Sequence, residues 1–212
     1  ARAEGLERAV ERKTAELRAS TDRLLAADAE KTALMEQLRV QAEAFERQAR
    51  EDALTGLANR RAFDETVSRE FRRARRTGTP LCLAMLDIDH FKRINDSFSH
   101  AAGDEVIVRL AQLMRGQCRD IDVLARWGGE EFALLMPQTR LEDAARVCER
   151  LREAFAQEPF DSLQAGLRIT VSIGLASEEG LDSHEALLVR ADAALYRAKR
   201  GGRNQVVLSL LD

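Results

Sequence analysis

The chain reads as an α/β domain, a central mixed β-sheet surrounded by helices, with one long coiled-coil helix in front of it. Three observations lead there. Residues 1–50 hold no proline and only one glycine, Gly5, and apolar residues recur at alternating steps of three and four. From Asp52 onward, short apolar runs alternate with amphipathic segments, the pattern of a sheet with helices packed on it. Between two such runs stands Arg126-Trp127-Gly128-Gly129-Glu130-Glu131-Phe132, where paired glycines mark a tight hairpin.

Taken in order, the first element is the long helix. One seam series is Val10, Leu17, Leu24, Lys31, Leu38, Phe45, and the other is Leu6, Lys13, Ser20, Ala27, Leu34, Gln41. A helix of this length is about 75 Å long and cannot bury its own stripe, so it is expected to pair with a copy of itself. The alternative is a solvated single helix or a docked amphipathic one. The polar seam residues Lys13, Ser20, Lys31 and Gln41 weaken the coil, which suits a signalling helix with two registers of similar energy. We divide the chain into residues 1–51, a dimerisation helix, and 52–212, the α/β domain.

Within that domain, Arg60–Thr77 is expected to be a helix ended by Gly78 and Pro80, followed by a buried strand Leu81–Asp87. A helix from about Asp104 to Arg115 comes next, then the hairpin runs Ile121–Ala125 and Phe132–Met136. Leu141–Ala156 has apolar residues at helical spacing, Leu167–Leu175 has a strand pattern, and His184–Arg200 is a helix stopped by Gly201-Gly202. Val206–Leu210 closes the domain as a short strand.

Composition narrows the function classes. Charged residues make up 33% of 212 positions, yet the net charge is only −3, which speaks against a general nucleic-acid binder. Cys82, Cys118 and Cys148 are odd in number and widely spaced, so neither a disulfide framework nor a zinc site is expected, and a reducing cytoplasm is the natural compartment. No apolar run reaches the roughly 18 residues of a membrane span, and no signal peptide is evident. The chain opens on Ala1 rather than Met, as a fragment of a longer protein would.

The chemistry concentrates at the hairpin. A turn without Cβ atoms lets a bulky ligand approach the backbone, and the two acids after it, Glu130 and Glu131, point to opposite faces of a strand. Alone, the segment is equally an exposed turn with solvated acids. Upstream, Asp87 closes an apolar strand, a usual place for a catalytic group in α/β folds. Brought together on neighbouring strands, Asp87 and Glu130 form a hard oxygen site suited to Mg²⁺.

Several ordered motifs carry a family resemblance: Asp52-Ala53-Leu54-Thr55-Gly56-Leu57-Ala58-Asn59-Arg60-Arg61, the Asp87 strand, Asn95 to Asp104, the hairpin, Thr170-Val171-Ser172-Ile173-Gly174, and Tyr196 to Asn204. On these the chain resembles the GGDEF-domain diguanylate cyclases, whose signature tolerates Glu at the position of Glu130. The resemblance implies a nucleotidyl-cyclase, palm-like fold. It also implies a reaction that joins two GTP into cyclic di-GMP with loss of two pyrophosphates, in a homodimer held by the coil. Ser99 departs from the family's glycine, and would be slightly strained if that turn needs positive φ.

Carried onto this sequence, the resemblance makes Asp87, Glu130 and Lys199 catalytic. It assigns the metal, Mg²⁺ with Mn²⁺ as the alternative ion, to Asp87, the Ile88 carbonyl, Glu130 and Glu131. Glu131 has a second reading as a support of the hairpin, and Asp89 is the weaker strand-end acid. Substrate contacts fall on Phe91, Lys92, Asn95, Asp104, Gly128, Gly129, Lys199 and Arg203. Lys92, Lys199 and Arg203 face the triphosphate, while Asp104 and Asn95 read guanine, whose N1–H and N2–H₂ donors a carboxylate accepts together. Without the family, Lys92 is a helix-end charge, Asn95 a turn residue and Asp104 an N-cap. Arg119 and Asp122 match an inhibitory RxxD site for the product, with Arg150 as a helper whose alternative is an exposed helix charge.

Of the remaining candidates, Tyr196 is expected in the core, Trp127 as a lid or as surface packing, and His100 in a structural role. The expected partners are GTP, cyclic di-GMP, a second copy of the chain and an upstream sensor or receiver domain, with no nucleic acid. The competing reading is a catalytically silent module that binds cyclic di-GMP.

Overall fold

The computed structural model describes residues 2–209, with side chains at 11–42, 45, 46 and 48–209. The chain divides after Ala49 into two compact units. The first is essentially one helix, α1 (Arg2–Arg50). Its seam residues Leu17, Leu24, Leu34, Leu38 and Phe45 are all exposed. The side chains of Leu6 and Val10 lie outside the described residues. Exposed pairs one turn apart, Lys13 with Glu16 and Glu36 with Arg39, add a few tenths of a kcal/mol each to the helix. Among the described residues no helix is long and apolar enough to cross a membrane.

The second unit runs β1 (Ala58–Asn59), α2 (Arg60–Thr77), β2 (Leu81–Ile88), α3 (Phe91–Ser97), α4 (His100–Gln117), β3 (Val123–Gly128), β4 (Glu131–Pro137), α5 (Leu141–Gln157), β5 (Val171–Ser177), α6 (His184–Arg200) and β6 (Val206–Leu208). The sheet order is β1-β3-β4-β2-β5-β6. The two outer pairs, β1 with β3 and β5 with β6, are parallel, and the inner ones are antiparallel. This is the mixed sheet covered by helices that the alternating pattern predicts.

β2 is central and buried along its whole length, which is why it reads as a continuous apolar run rather than an alternating one. Its side chains still alternate between two cores. Leu81, Leu83 and Met85 meet Phe63, Val67 and Phe71 of α2 and Leu187, Ala191 and Leu195 of α6. Cys82, Ala84, Leu86 and Ile88 meet Val106, Ile107, Leu110 and Met114 of α4 and Cys148, Leu151 and Phe155 of α5. Phe63 and Phe132 are completely buried, one in each core, and each contributes about 1.5–3 kcal/mol of transfer free energy. The same alternation sends Asp87 to the α2/α6 face.

Helix ends follow local chemistry. Asn59 Oδ1 accepts from the Ala62 N–H at the start of α2, and Gly78 (φ 65°) closes it in the left-handed region. α4 begins at His100, four residues before the expected start. Ser99 Oγ accepts from the Ala102 N–H, so Ser99 is the cap and Asp104 is not. Ser99 has φ 173°, an extended backbone open to any residue, so the expected strain is absent and the serine supplies a cap instead. α3 is a seven-residue helix where the sequence suggests a turn at Asn95. β5 starts at Val171 because Gln164–Leu167 folds back on itself through a Leu167 N–H to Gln164 C=O bond. β6 covers Val206–Leu208, and Leu210 lies outside the described residues.

Candidate active site

The site forms where β2, β4 and β5 end together. Asp87 is paired across the sheet with Glu131 on one side and Ser172 on the other. Residues directly opposite on antiparallel strands share a face, so Glu131 stands on the Asp87 side of the sheet. The turn between β3 and β4 is Gly129-Glu130, because Gly128 already pairs with Glu131 after a register shift at Trp127. Only Gly129 of the two glycines has positive φ (52°). Glu130 therefore sits in the turn itself, and its carbonyl faces the Ile88 N–H at 3.4 Å.

Lys199, in the last turn of α6, donates from Nζ to Asp87 Oδ2 at 2.7 Å. Burial nevertheless pushes the Asp87 carboxyl up, to about 6. Lys199 pulls it back, while the negative charges of Glu130 and Glu131 add to the rise. Three acids and one lysine thus share the strand end. Among the described residues no group of three or more His, Cys, Asp or Glu side chains is arranged to hold a metal alone. The donors are nonetheless all hard oxygens, which fits a small divalent cation that takes one or two carboxylates and completes its shell from water and phosphate.

Gly174 explains how α6 reaches this point. A Cβ there would collide with the Leu195 N and Ala191 O atoms and would lie 2.7 Å from Ala194 C, so only glycine lets the helix lie directly on β5. Asp89 is saturated. It accepts from Thr170 Oγ1 and Ser172 Oγ at 2.6 Å each and from the Asn204 N–H at 3.0 Å. It is a tie between β5 and the Arg203-Asn204 loop, whose two residues both have positive φ. This role for Asp89, Thr170 and Ser172 was invisible in the sequence, since it needs the strand pairing to bring residues 89, 170 and 204 together.

The hairpin is braced from the side. Arg126 donates from Nε to the Gly129 carbonyl at 2.8 Å and from Nη1 to both Asp52 oxygens at 3.2 and 3.3 Å. Asp52 Oδ1 also accepts from the Thr55 N–H and hydroxyl. Burial works to raise the Asp52 carboxyl, but the Thr55 bonds and the Arg126 charge outweigh it and hold the group below its ordinary range. Asp52 and Arg126 are a second pair that sequence reading missed as site elements.

α3 carries the candidates for nucleotide contact. Lys92 is exposed and Phe91 buried. Asn95 Oδ1 is buried without a partner and lies against Gly103 of α4, where a Cβ would overlap it. Asp104 follows Gly103 and is exposed. His100 is exposed at the start of α4. Arg203 is exposed in the loop after α6.

Arg119 and Asp122 close on each other. The Arg119 N–H donates to Asp122 Oδ2 at 2.8 Å, and the Asp122 N–H donates to the Arg119 carbonyl at 2.9 Å. Burial raises the Asp122 carboxyl against these contacts, and its Oδ1 is buried with no partner. Arg150 reaches Gln117 with two bonds of 2.7 Å, two residues before Arg119, so it is anchored to this corner rather than free on its helix.

Two aromatic expectations resolve differently. Tyr196 is 60% exposed, with Arg200 beside its ring, and is not a core residue, because it falls on the outer face of α6. Trp127 packs edge-on against Phe63 under the Arg60 guanidinium, lining a groove of about 660 Å³ with Met85, Leu188 and Val189. The three cysteines are free, and burial pushes the Cys82 and Cys118 thiols up to about 12, out of reach of nucleophilic or ligand chemistry at neutral pH.

The family model described as "Diguanylate cyclase, GGDEF domain" matches residues 49–205. The chain is 50% identical over 155 residues to the diguanylate cyclase DgcP of Pseudomonas aeruginosa, covering 73% of this chain and 23% of that protein. It is 44% identical over 159 residues to the response regulator PleD of Caulobacter vibrioides, covering 74% and 35%. The chain thus spans about a quarter to a third of the length of these relatives. Among solved structures, the coiled coil and GGDEF domain of DgcB from Caulobacter crescentus, in complex with c-di-GMP, superposes with a TM-score of 0.82. That match has 39% identity and covers 87% of this chain and 98% of that one.

Proposed function

The chain belongs to the GGDEF-domain family of diguanylate cyclases, and from that premise we propose that it condenses two GTP into cyclic di-GMP, releasing two pyrophosphates. The observation that carries the reading is a pair of orphans. Among the described residues, the buried side-chain polar atoms without a partner are Asn95 Oδ1 and Asp122 Oδ1. A buried acceptor left unpaired costs roughly 1–3 kcal/mol, so each invites a donor from outside the chain. Guanine offers such donors at N1–H and N2–H₂. One orphan sits beside the proposed substrate site and the other in the proposed product site.

In this reading each domain holds one GTP, and the 3′-hydroxyl of each nucleotide attacks the α-phosphate of the other. Asp87 and Glu130, with the Ile88 carbonyl, would hold Mg²⁺, and Glu131 lends charge from across the sheet. When bound, the cation neutralises phosphate charge and orients the leaving pyrophosphate. Lys92, Lys199 and Arg203 balance the triphosphate, and the Gly128-Gly129 backbone lets it approach. Asp104 and Asn95 select guanine over adenine by matching its donors. The two-fold symmetric product needs two facing half-sites. The exposed seam of α1 supports a parallel homodimer as the way to provide them, since tethering raises the local concentration of the second domain. The cytosol, which supplies GTP, is the compartment this implies. Arg119, Asp122 and Arg150 are proposed to bind cyclic di-GMP and restrain turnover.

The test is direct. The protein is incubated with GTP and Mg²⁺, and the products are separated by chromatography. Cyclic di-GMP with two equivalents of pyrophosphate is expected. Absence of cyclic di-GMP from correctly folded, dimeric protein would reject the proposal.

A further inference from the structure

We propose that Lys199 is a placeholder for the metal, so that the cation binds well only when a nucleotide triphosphate arrives to take the lysine away. The inference rests on the cyclase reading of the same site and adds an order of events to it. Lys199 Nζ is 2.7 Å from Asp87 Oδ2, on the carboxylate that would hold the cation. Mg²⁺ requires its oxygen ligands at about 2.0–2.1 Å, so a dication on either oxygen of this buried carboxylate would stand within a few ångströms of the ammonium and be strongly repelled by it. The Asp87 side chain is 9% exposed and fixed in a fully buried strand. It cannot turn away from the lysine to meet a metal elsewhere. Lys199 is 32% exposed, stands in the last turn of its helix and has a flexible four-carbon stem, so it is the partner that moves.

Two further features agree. Asp87 and Glu131 stand opposite each other on paired strands and Glu130 is in the adjoining turn, its carbonyl 3.4 Å from the Ile88 N, so three acids crowd one strand end. In the nucleotide-free protein Lys199 relieves that repulsion. Second, no set of three acids is pre-arranged as a cage among the described residues, so protein alone offers an incomplete shell. A triphosphate changes both conditions at once. It gives the lysine another anion to pair with and supplies the missing oxygens. Metal and nucleotide then bind cooperatively, and by linkage each raises the affinity of the other by the same factor.

The experiment measures Mn²⁺ binding directly, by the loss of free-ion paramagnetic resonance signal at one fixed pH, in the full chain. Parent protein, Lys199→Ala and Lys199→Gln are compared without nucleotide and with a non-hydrolysable GTP analogue. Without nucleotide, both variants are expected to bind Mn²⁺ about tenfold or more tightly than the parent, because a positive charge within a few ångströms is gone. Adding Asp87→Asn to Lys199→Ala should abolish the gain, which locates it at this strand end. In the parent the analogue should raise Mn²⁺ affinity strongly, and in the variants much less. If both variants bind the bare ion within twofold of the parent, the placeholder idea is wrong. If the variants gain bare-ion affinity but the parent shows no binding of the GTP analogue, the lysine's block of the metal stands, while its release by a triphosphate and the cyclase reading both fall. Lys199→Gln keeps a polar side chain, one atom shorter and without the charge, so the comparison survives if Lys199→Ala fails to fold.

Discussion

Replacing Gly174 by Ala is expected to damage this protein more than almost any other single methyl group. The added Cβ would overlap backbone atoms of α6, the Leu195 nitrogen and the Ala191 oxygen, and would stand 2.7 Å from the Ala194 carbonyl carbon. None of these is the end of a flexible side chain. Comfortable carbon contacts begin near 3.5 Å, so the helix must retreat on the order of 1 Å along its central turns. Ala191, Ala194 and Leu195 are buried, and a retreat opens a gap along all of them. Overpacking costs typically 1–3 kcal/mol, and with backbone as the obstacle we expect the upper end, about 3 kcal/mol. For a domain of this size that corresponds to a loss of roughly 6–12 °C in Tm. Trp127, the only tryptophan, stands on β3 edge-on against Phe63 of α2 and reports the transition by fluorescence. Lys199 lies one turn beyond Leu195, so GTP should also bind more weakly below the melting temperature. A variant that melts within about 2 °C of the parent would show that β5 and α6 can separate freely and that Gly174 is not what seats the lysine.

Four other outcomes follow from the same geometry. Glu130→Gln should lower turnover by far more than tenfold, the equivalent of about 1.4 kcal/mol of barrier, with Tm little changed, since this side chain is only half-buried in a turn and Gln has nearly its shape; steady-state kinetics beside a melt checks both. Asn95→Ala and Asp104→Ala should narrow the preference for GTP over ATP in competition assays, and equal competition by ATP in the parent would remove the base-reading assignment. Replacing Arg119 and Asp122 together by Ala should leave the initial rate intact and abolish inhibition by cyclic di-GMP, with calorimetry showing the loss of product binding. Leu24→Asp with Leu38→Asp should split the dimer in sedimentation and lower activity at nanomolar protein; a monomeric parent that is fully active would contradict the role given to the coil.

The sequence was most legible where one interaction dominates. α2 and α6 end where the sequence places them, at Gly78 and Gly201, and the burial of β2 follows from an unbroken apolar run. It was least legible where two local signals competed. Asp104 after Gly103 has the look of a helix start, but Ser99 made the earlier bond and extended α4 by a turn. Gly103 is inside that helix for a different reason, to let α4 pass Asn95. Paired glycines suggest a turn centred on both, yet only Gly129 takes positive φ, which moved Glu130 from the strand into the turn. A lone aromatic such as Tyr196 reads as core, while the phase of α6 sets it outward.

The hairpin and strand-end motifs also divide labour in a way that spacing alone does not reveal. Asp87 and Asp89 are two residues apart and would share a face if the strand continued. β2 stops at Ile88, and His90 turns into the left-handed region, so the two carboxylates part. Asp87 remains in the pleat, on the α6 side, with Lys199 as its one close side-chain partner among the described residues. Asp89 turns to β5 and spends both oxygens on Thr170, Ser172 and the Asn204 N–H. An acid with both oxygens engaged makes a poor ligand but a good tie. What it ties is the loop that presents Arg203, next to the helix that presents Lys199. In the proposed cyclase Asp87 would do the chemistry, while Asp89, two residues on, holds the loop that carries Arg203. Ser172 belongs to both arrangements: it faces Asp87 across the sheet and donates its hydroxyl to Asp89. A serine-to-alanine change at this one position would leave a buried carboxylate oxygen of Asp89 short of a donor without touching Asp87, and so separates the holding of the loop from the holding of the cation.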